Sequence, residues 1–397
     1  MNAEVITLGC RLNTAESATI RAMLADMTDL VVVNSCAVTA EAVRETRKAI
    51  RRAKRARPHA RILVTGCASE IDAAGFGAMA EVAGIVANAA KLDPAPYGAT
   101  AAIAPVADES HARAFVAVQN GCDHACTFCI IPQGRGASRS LPAGAVMEAV
   151  RAAVAAGRRE VVLTGVDLTA YGADLPGQPT LGMLVERLLR LVPELDRLRL
   201  SSLDPCEIDA RLIELFANEP RLMPHLHLSL QAGSDLILKR MKRRHSRGEA
   251  VALVARLKAK RPEIAIGADL IAGFPTETEA MFADTLALLD ECDIVLPHVF
   301  SYSPREGTPA ARMPQVAREV VKDRARRLRE AGARRHRAWL QGQVGSVRRV
   351  LIEGDGRSGH AEDFARVELT EGELPAAGIT VLRIVARNGN RLVGVRA

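Results

Sequence analysis

The stretch QNGCDHACTFCIIPQGRG, residues 119–136, begins where the strand-like run FVAVQ ends. Its three cysteines, called the loop triad below, are Cys122, Cys126 and Cys129. Three thiolates in one loop can hold three irons of a 4Fe-4S cluster and leave the fourth iron open to another ligand. A zinc site with His124 as fourth ligand is the alternative, but structural zinc sites usually pair two C-x-x-C knuckles. The spacing therefore favours an iron-sulfur cluster.

Short β-rich runs alternate with helical stretches on both sides of this loop. Before it, VITLG, VVVNS and ILVTG predict a small α/β domain with a parallel sheet. From FVAVQ onward, six strand-like runs separated by helix-length segments predict a partial or complete (β/α) barrel. They are FVAVQ, EVVLTG, RLRLSS, HLHLSL, IGADLIAG and VLPHVFSY. The β-runs of residues 343–397, separated by turn residues, predict a small all-β barrel.

These patterns predict three domains, at 1–95, 114–337 and 338–397. The segment 89–113 is rich in Ala and Pro and has no sustained period, as is typical of a linker. An Arg-rich stretch at 316–341 predicts one long helix before the last domain.

Composition bounds the class of protein. The 397 residues are 48% hydrophobic, which supports folded cores. No apolar run approaches the 18 residues of a membrane helix, and no signal peptide is apparent, so we expect a cytoplasmic protein without a membrane partner. The net charge of +7 favours an anionic partner such as nucleic acid. The basic runs at 44–55 and 324–337 are either solvated helix faces or phosphate contacts.

Three further cysteines occupy similar places in the first domain. Each directly follows a strand-like run, in TLGC, VNSC and VTGC; this strand-end triad is Cys10, Cys36 and Cys67. Functional groups gather at the carboxyl ends of parallel strands, so the three thiols are expected to converge as a second metal site. The alternative is that each is a small buried hydrophobe, which is how we interpret Cys206 and Cys292.

The spacing C-x-x-x-C-x-x-C, with the aromatic Phe128 just before the last cysteine, resembles the signature of the radical S-adenosylmethionine superfamily. The resemblance implies that the open iron binds the amino and carboxylate groups of S-adenosylmethionine. Reductive cleavage of that cofactor then gives a 5′-deoxyadenosyl radical. The loop triad is therefore the predicted catalytic centre.

Polar residues at the carboxyl ends of the barrel strands are candidates for binding the rest of that cofactor. The cofactor-binding residues we predict are Phe128, Gly165, Asp167, Ser202, Gln231 and Asp269. Weaker candidates at the same strand ends are Thr164, Ser201, Asp204, Ser229, Gly273, Ser301, Tyr302 and Arg305. Any of the polar ones can instead cap a helix or satisfy a turn.

The whole chain resembles the methylthiotransferase family, which combines an N-terminal three-cysteine domain, a radical S-adenosylmethionine core and a C-terminal TRAM β-barrel. The motifs that carry the resemblance to its threonylcarbamoyladenosine branch include LGCRLNTAES, LTGVDLTAYGADLPG, HLHLSLQAGSD, MKRRHSR and FSYSPREGTPAARMP. One departure is Thr276 in GFPTET, where the family usually has Gly, so the turn there is expected to differ.

The resemblance implies two 4Fe-4S clusters, one on each triad, and a methylthio group placed on carbon 2 of N6-threonylcarbamoyladenosine at tRNA position 37. It also implies a tRNA anticodon stem-loop as partner, an electron donor such as flavodoxin or ferredoxin, and a sulfur source. Three alternatives stay open: a methylthiotransferase for isopentenyladenosine or a ribosomal protein, a zinc-stabilised RNA-binding protein, and a radical enzyme with one cluster.

Overall fold

The computed structural model describes residues 2–99, 112–354, 356–370 and 378–397, and residues 100–111 of the predicted linker lie outside these ranges. In the described ranges no helix is both long and apolar enough to cross a membrane. The described elements form three units in chain order, each with its own hydrophobic core.

The first unit is a four-stranded parallel sheet with the strand order β1-β2-β3-β4. Its elements are β1 (Glu4–Thr7), α1 (Arg11–Met23), β2 (Leu30–Ser35), α2 (Ala40–Ala56), β3 (Arg61–Gly66), α3 (Cys67–Ile71), α4 (Ala73–Gly77) and β4 (Gly84–Ile85). Every residue of β2 is buried, as expected for a central parallel strand. The predicted parallel α/β architecture is confirmed.

The described part of the predicted linker packs against this sheet. Tyr97, in a short 3-10 helix at Ala95–Tyr97, is fully buried and belongs to the same apolar cluster as Leu30 and Val32. Its hydroxyl donates to the carbonyl oxygen of Lys91 at 2.8 Å. Tyr97 therefore forms part of the first unit's core.

The second unit is a partial barrel. Two three-stranded parallel sheets, β5-β8-β9 and β10-β11-β12, meet through isolated bridges between β9, β10 and the loops beside them. The strands and helices are β5 (Arg113–Ala117), β6 (Gln119–Asn120), α5 (Ile131–Arg135), β7 (Arg139–Ser140), α6 (Ala143–Ala155), β8 (Glu160–Thr164), α7 (Leu181–Leu191), β9 (Arg197–Leu200), α8 (Ala210–Asn218), β10 (His225–Gln231), α9 (Asp235–Arg240), α10 (Arg247–Lys260), β11 (Ala265–Ala272), α11 (Glu279–Glu291), β12 (Ile294–Ser301) and α12 (Arg318–Gln341). The six predicted barrel strands are all present.

The third unit is a closed five-stranded barrel with the order β13-β14-β15-β17-β16. Its strands are β13 (Val347–Ile352), β14 (Ser358–His360), β15 (Arg366–Leu369), β16 (Gly378–Asn388) and β17 (Arg391–Arg396). Alternate residues of β16, such as Leu382 and Ile384, fill its core, as the period of a half-buried strand requires. The predicted small all-β barrel is confirmed.

A buried carboxylate organises the start of the central barrel. Glu160, the first residue of β8, is fully buried and lies 2.9 Å from the Nε atoms of both Arg113 and Arg199. Burial raises the pKa of Glu160, but Arg199 and Arg113 lower it by a larger amount. The resulting pKa is about 2. The carboxylate therefore stays charged and compensates the arginines around it.

Two arginines of β9 beside Glu160, Arg197 and Arg199, attach the five-stranded barrel to the central barrel. Arg197 donates to the carbonyl oxygen of Arg349 at 2.6 Å. Arg199 donates to the carbonyl oxygens of Glu362 and Ala361, both at 2.8 Å. Guanidinium groups on β9 thus satisfy backbone acceptors of the last unit.

Phe364 fills the junction between these two units. Its ring stacks between His225 at 4.9 Å and His360 at 4.5 Å, measured between ring centroids. The guanidiniums of Arg113 and Arg199 lie 5.4 and 5.1 Å from the ring centroid. Phe364 has φ +71°, a costly conformation for a bulky residue, so the stacking must hold it there.

Replacing Glu160 by Gln should lower the free energy of unfolding by about 3–5 kcal/mol, because it leaves buried guanidiniums without a counter-charge. Urea unfolding followed by Trp339 fluorescence measures this, since Trp339 packs against the core of the last barrel. The matched control is Glu186→Gln, whose pair with Arg211 is exposed and should contribute less than about 1 kcal/mol. Equal urea midpoints for Glu160→Gln and wild type would contradict the prediction.

The difference in unfolding free energy between wild type and Glu160→Gln should depend on pH. The folded pKa of Glu160 is about 2, below the value of about 4.3 for an unfolded Glu. The carboxylate therefore stabilises the fold fully above pH 4.3, and this contribution declines as the pH falls from about 4.3 to about 2. The stability difference between wild type and Glu160→Gln should shrink in that window, and a constant difference would argue against it.

Candidate active site

The loop triad lies between β6 and α5. Gly121 has φ +76°, and a Cβ atom there would lie 1.9 Å from the carbonyl oxygen of Ala137, so only glycine fits. The backbone N–H of Cys129 donates to the carbonyl oxygen of Cys126 at 3.2 Å. The sulfurs are close enough that Cys126 and Cys129 both raise the pKa of Cys122. The loop therefore gathers the three thiols in one place.

The surroundings of these thiols favour a bound cation. Burial raises the pKa of Cys122 to about 12 and that of Cys129 to about 11. An Nη1–H of Arg243 donates to the Cys126 sulfur at 3.6 Å, and Asp167 Oδ2 lies 3.8 Å from the Cys122 sulfur. Thiolates are stable in such a place when metal ions bind them. The donor set thus fits three irons of a 4Fe-4S cluster.

The position of His124 bears on the zinc alternative. Its Nε2 lies 2.6 Å from Asp167 Oδ2. This hydrogen bond raises the pKa of His124 and favours the protonated ring. Because Nε2 is engaged by Asp167 and a histidine must be neutral to bind a metal, His124 could serve as a fourth ligand only through Nδ1 of the neutral ring.

The strand-end triad gathers at the carboxyl edge of the N-terminal sheet. Gly9 has φ +97°, and a Cβ atom there would lie 2.5 Å from Cys36 Cβ and 2.7 Å from its sulfur. Glycine thus lets Cys36 pack against the turn that carries Cys10. Burial and, to a smaller extent, the thiols of Cys10 and Cys67 raise the pKa of Cys36. The three thiols therefore lie close together, as expected for cluster ligands.

The two triads are neighbours. Cys67 begins α3, and this helix packs against α5, which follows the loop triad. A Cβ atom on Gly134 would lie 3.1 Å from Cys67 Cβ. The charge of Cys67 also contributes to the raised pKa of Cys129. The fold thus brings the two cysteine triads to one site.

A buried ionic network, called the hub below, joins the elements that carry the triads. Arg135 Nη1 lies 2.9 Å from Glu16 Oε1 and donates to Asn120 Oδ1 at 2.7 Å. Lys91 pairs with the other oxygen of Glu16. Burial raises the pKa of Glu16, but Lys91 and Arg135 outweigh it and lower that pKa overall. The hub is therefore ionised and joins α1 to α5.

Asn13 extends the hub to the strand ends. Its Oδ1 accepts a hydrogen bond from Arg135, and its Nδ2 donates to the carbonyl oxygens of Leu8 at 2.7 Å and Ser35 at 3.0 Å. Leu8 and Ser35 lie just before the turns that carry Cys10 and Cys36. The sequence did not predict this network, because its members show no local pattern.

A cavity of about 200 Å³ lies between the N-terminal sheet and the carboxyl ends of β10, β11 and β12. Its walls are Val38, Thr39, Phe128, Gln231, Asp269, Ile271, Phe300, Ser301, Tyr302, Ser303 and Arg305. Phe128 comes from the loop triad's loop, and Val38 follows Cys36 closely in the chain. The cavity is thus bordered by segments from both triads.

Three of the six predicted cofactor-binding residues line this cavity: Phe128, Gln231 and Asp269. Of the weaker candidates, Ser301, Tyr302 and Arg305 also line it. Arg305 donates to the carbonyl oxygen of Ala37, so it connects the end of the barrel to the strand-end triad.

The other three predicted cofactor-binding residues lie elsewhere. Gly165 packs against Gln119, because a Cβ atom there would lie 2.9 Å from Gln119 Oε1. The backbone N–H of Asp167 donates to the same oxygen of Gln119 at 2.9 Å. The side chain of Asp167 lies beside the sulfur of Cys122. Ser202 is half-buried after β9 and is not among the described walls of the cavity.

Two polar groups at the site were not singled out from the sequence. Arg243, within the motif MKRRHSR, donates to Asp204 Oδ2 at 2.9 Å and to the carbonyl oxygen of Ser229 at 2.8 Å. His227 and His298 both contact Asp269 Oδ1, at 2.9 and 3.4 Å. The alternation in HLHLSL, which places His225 and His227 on one face of β10, is the signal that could have found the second group.

Thr276 adopts a backbone conformation that favours glycine. Its φ is +67°, which is costly for a β-branched residue. Arg240 Nη1 donates to Thr276 Oγ1 at 2.7 Å and helps to hold the turn. The hydrogen bond from Arg240 therefore supports a positive-φ turn at Thr276.

Comparison with known families agrees with this geometry. The Radical SAM superfamily matches residues 116–289, and the Uncharacterized protein family UPF0004 matches residues 2–87. The chain is similar in fold to the radical S-adenosylmethionine methyltransferase TsrM from Kitasatospora setae, solved with cobalamin and a 4Fe-4S cluster bound. The TM-score is 0.54 at 13% identity, over 78% of this chain and 76% of that one, so this likeness concerns the fold alone.

Sequence relatives are closer. The threonylcarbamoyladenosine tRNA methylthiotransferase MtaB of Rickettsia prowazekii (strain Madrid E) is 46% identical over 93% of this chain and 91% of that protein. The tRNA-2-methylthio-N(6)-dimethylallyladenosine synthase of Erythrobacter litoralis (strain HTCC2594) is 34% identical over 89% of this chain and 86% of that protein. The resemblance drawn from the motifs is confirmed, and the chain belongs to the radical S-adenosylmethionine methylthiotransferase family.

Proposed function

We propose that this chain is a transferase that places a methylthio group on carbon 2 of N6-threonylcarbamoyladenosine at position 37 of a tRNA. The observation that supports this most is that segments next to both cysteine triads border one cavity: Phe128 lies in the loop that carries Cys126 and Cys129, and Val38 lies two residues after Cys36. The relative named for that substrate is 46% identical, compared with 34% for the dimethylallyladenosine synthase of Erythrobacter litoralis. These two facts support the reaction and the choice of base.

The donor sets fit two 4Fe-4S clusters, with the loop triad holding one and the strand-end triad the other. S-adenosylmethionine bound beside the loop triad would supply the radical chemistry needed to remove the unreactive ring hydrogen, and a second molecule would supply the methyl group. The protein binds and orients these groups and the base.

The side chains around the cavity have separable tasks. Phe128, Ile271 and Tyr302 form apolar walls that exclude water. Gln231 offers an amide for hydrogen bonds to the cofactor. Arg243 places a positive charge 3.6 Å from the Cys126 sulfur and stabilises a thiolate there.

A tRNA substrate requires cations outside the cavity for its phosphates. On α2, Lys48 is paired with Glu45 at 2.7 Å. Arg52 and Arg55 are exposed and, among the residues that the structure describes, have no acceptor within ion-pair distance. We assign these free cations, and the five-stranded barrel within 338–397, to binding the anticodon stem-loop.

The reaction also consumes electrons and sulfur. The proposal therefore includes a low-potential electron donor such as flavodoxin or ferredoxin, and a sulfur source. It places the reaction in the cytoplasm, where tRNA is available.

Mass spectrometry of nucleosides from bulk tRNA, with and without this gene, tests the substrate. Deletion should remove 2-methylthio-N6-threonylcarbamoyladenosine, and its precursor without the methylthio group should accumulate. Complementation with Cys126→Ala should not restore the product, whereas wild type should. Loss of a different methylthio nucleoside, or of none, would refute the proposed substrate.

Replacing Cys36 by Ala tests the second cluster. Iron should fall from about eight to about four per chain after anaerobic reconstitution, and methylthiolation should stop. Formation of 5′-deoxyadenosine under reducing conditions should continue, because the loop triad is intact. The matched control is Cys292→Ala, a buried cysteine outside both triads, which should keep the iron content. Sustained methylthiolation by Cys36→Ala would leave the chain with one functional cluster.

A further inference from the structure

Arg11 directly follows Cys10 and begins α1 with a half-buried guanidinium. Its Cζ lies 5.6 Å from the centroid of the Phe364 ring. No oxygen of the described residues lies within hydrogen-bond or ion-pair distance of this guanidinium. Arg113 and Arg199 lie over the same ring, but both are paired with Glu160. Arg11 is therefore a cation placed to bind an anion from outside the chain.

A polar group on the barrel strands lies near Arg11. Asp269 on β11 accepts from His227 Nε2 at 2.9 Å and lies 3.4 Å from His298 Nδ1. This arrangement fixes both ring orientations and leaves His298 Nε2 pointing away from the carboxylate. The side chain of His298 is 60% exposed, and Asp269 lines the cavity. Arg11 is linked to this group through the Phe364 ring, which stacks on His225. His225 shares one face of β10 with His227.

The chemistry of adenine says what should lie here. Carbon 2 and the N6 nitrogen flank N1 on one edge of the base, so residues that bind an N6 substituent must lie close to the reacting carbon. Arg11 is adjacent to Cys10 of the strand-end triad, and Asp269 borders the cavity. The polar group around Asp269 and the cation of Arg11 are thus in the region that an N6 substituent would occupy.

Resting on the proposed function, we infer that Arg11 and the Asp269-held ring of His298 recognise the threonylcarbamoyl group, with Arg11 binding its carboxylate. That group offers a carboxylate, a hydroxyl and urea N–H groups, which complement a guanidinium and an imidazole nitrogen. These residues determine specificity and take no part in the radical chemistry.

The same geometry explains discrimination against an apolar substituent. A dimethylallyl group has no hydrogen-bonding atoms, so it would remove water from Arg11 and His298 without replacing its hydrogen bonds. A site built around polar partners rejects such an analogue strongly.

Fluorescence anisotropy of the reconstituted holoenzyme, without reductant, tests this inference. The probes are labelled anticodon stem-loops that carry either N6-threonylcarbamoyladenosine or unmodified adenosine at position 37, and the measured quantity is the ratio of their Kd values. Wild type should prefer the modified stem-loop, and Arg11→Gln should reduce this preference about tenfold. Arg11→Lys should keep part of it, because the charge remains. His298→Leu should also reduce the preference for the modified stem-loop. Residue 298 lies far in sequence from the cysteines of both triads.

The control variant is Arg52→Gln, which removes an exposed charge from α2 and should leave the ratio unchanged even if both affinities fall. Equal weakening of both stem-loops by Arg11→Gln would assign Arg11 to an RNA phosphate and overturn the inference, as would an unchanged preference. Iron content of each variant shows that the clusters are retained. The two proposals are separated by wild-type turnover: if wild type does not methylthiolate the modified stem-loop, the proposed function fails too, whereas turnover with an insensitive ratio refutes the inference alone.

Discussion

The ion pairs between Glu16, Arg135 and Lys91 hold the two halves of the active site together. Each charged group is buried, with about 2% of the Glu16 and Lys91 side chains exposed. Removing such groups from water costs several kcal/mol each, and mutual attraction offsets this only while every partner is present. Because α1 follows Cys10 of the strand-end triad and α5 follows the loop triad, this network fixes the position of Cys10 relative to the loop triad.

Close approach at the site also requires positions without side chains. Gly9 makes room for Cys36, and Gly134 makes room for Cys67. Gly121 lets the loop turn beside Ala137 at a distance that no Cβ atom allows. The ionic network supplies the attraction between the units, and these glycines remove the obstacles. A methyl group at any of the three would separate elements that the charges hold together.

The sequence predicted those features that repeat or that have fixed spacing. The six cysteines were identified because three share one loop and three follow strands, and the sheets follow from the β-rich runs. The partners of Glu16 could not be predicted, since Lys91 and Arg135 lie 75 and 119 residues away along the chain. Gly165 is predicted to bind the cofactor from its place after β8, and its close packing against Gln119 could not be predicted. Burial of charge and packing of glycine depend on tertiary contacts that no local pattern encodes.

The five-stranded barrel is coupled to the active site through one aromatic ring. The Phe364 ring contacts the guanidiniums of Arg113 and Arg199 from the central barrel and that of Arg11 from the N-terminal unit. Arg113 and Arg199 are both paired with Glu160. Arg11 lies over the face of the Phe364 ring and, among the described residues, has no ion-pair partner. Since Arg11 adjoins Cys10, a displacement of Phe364 would act on the segment that carries Cys10. The position of the last barrel and the placement of the strand-end triad are therefore not independent.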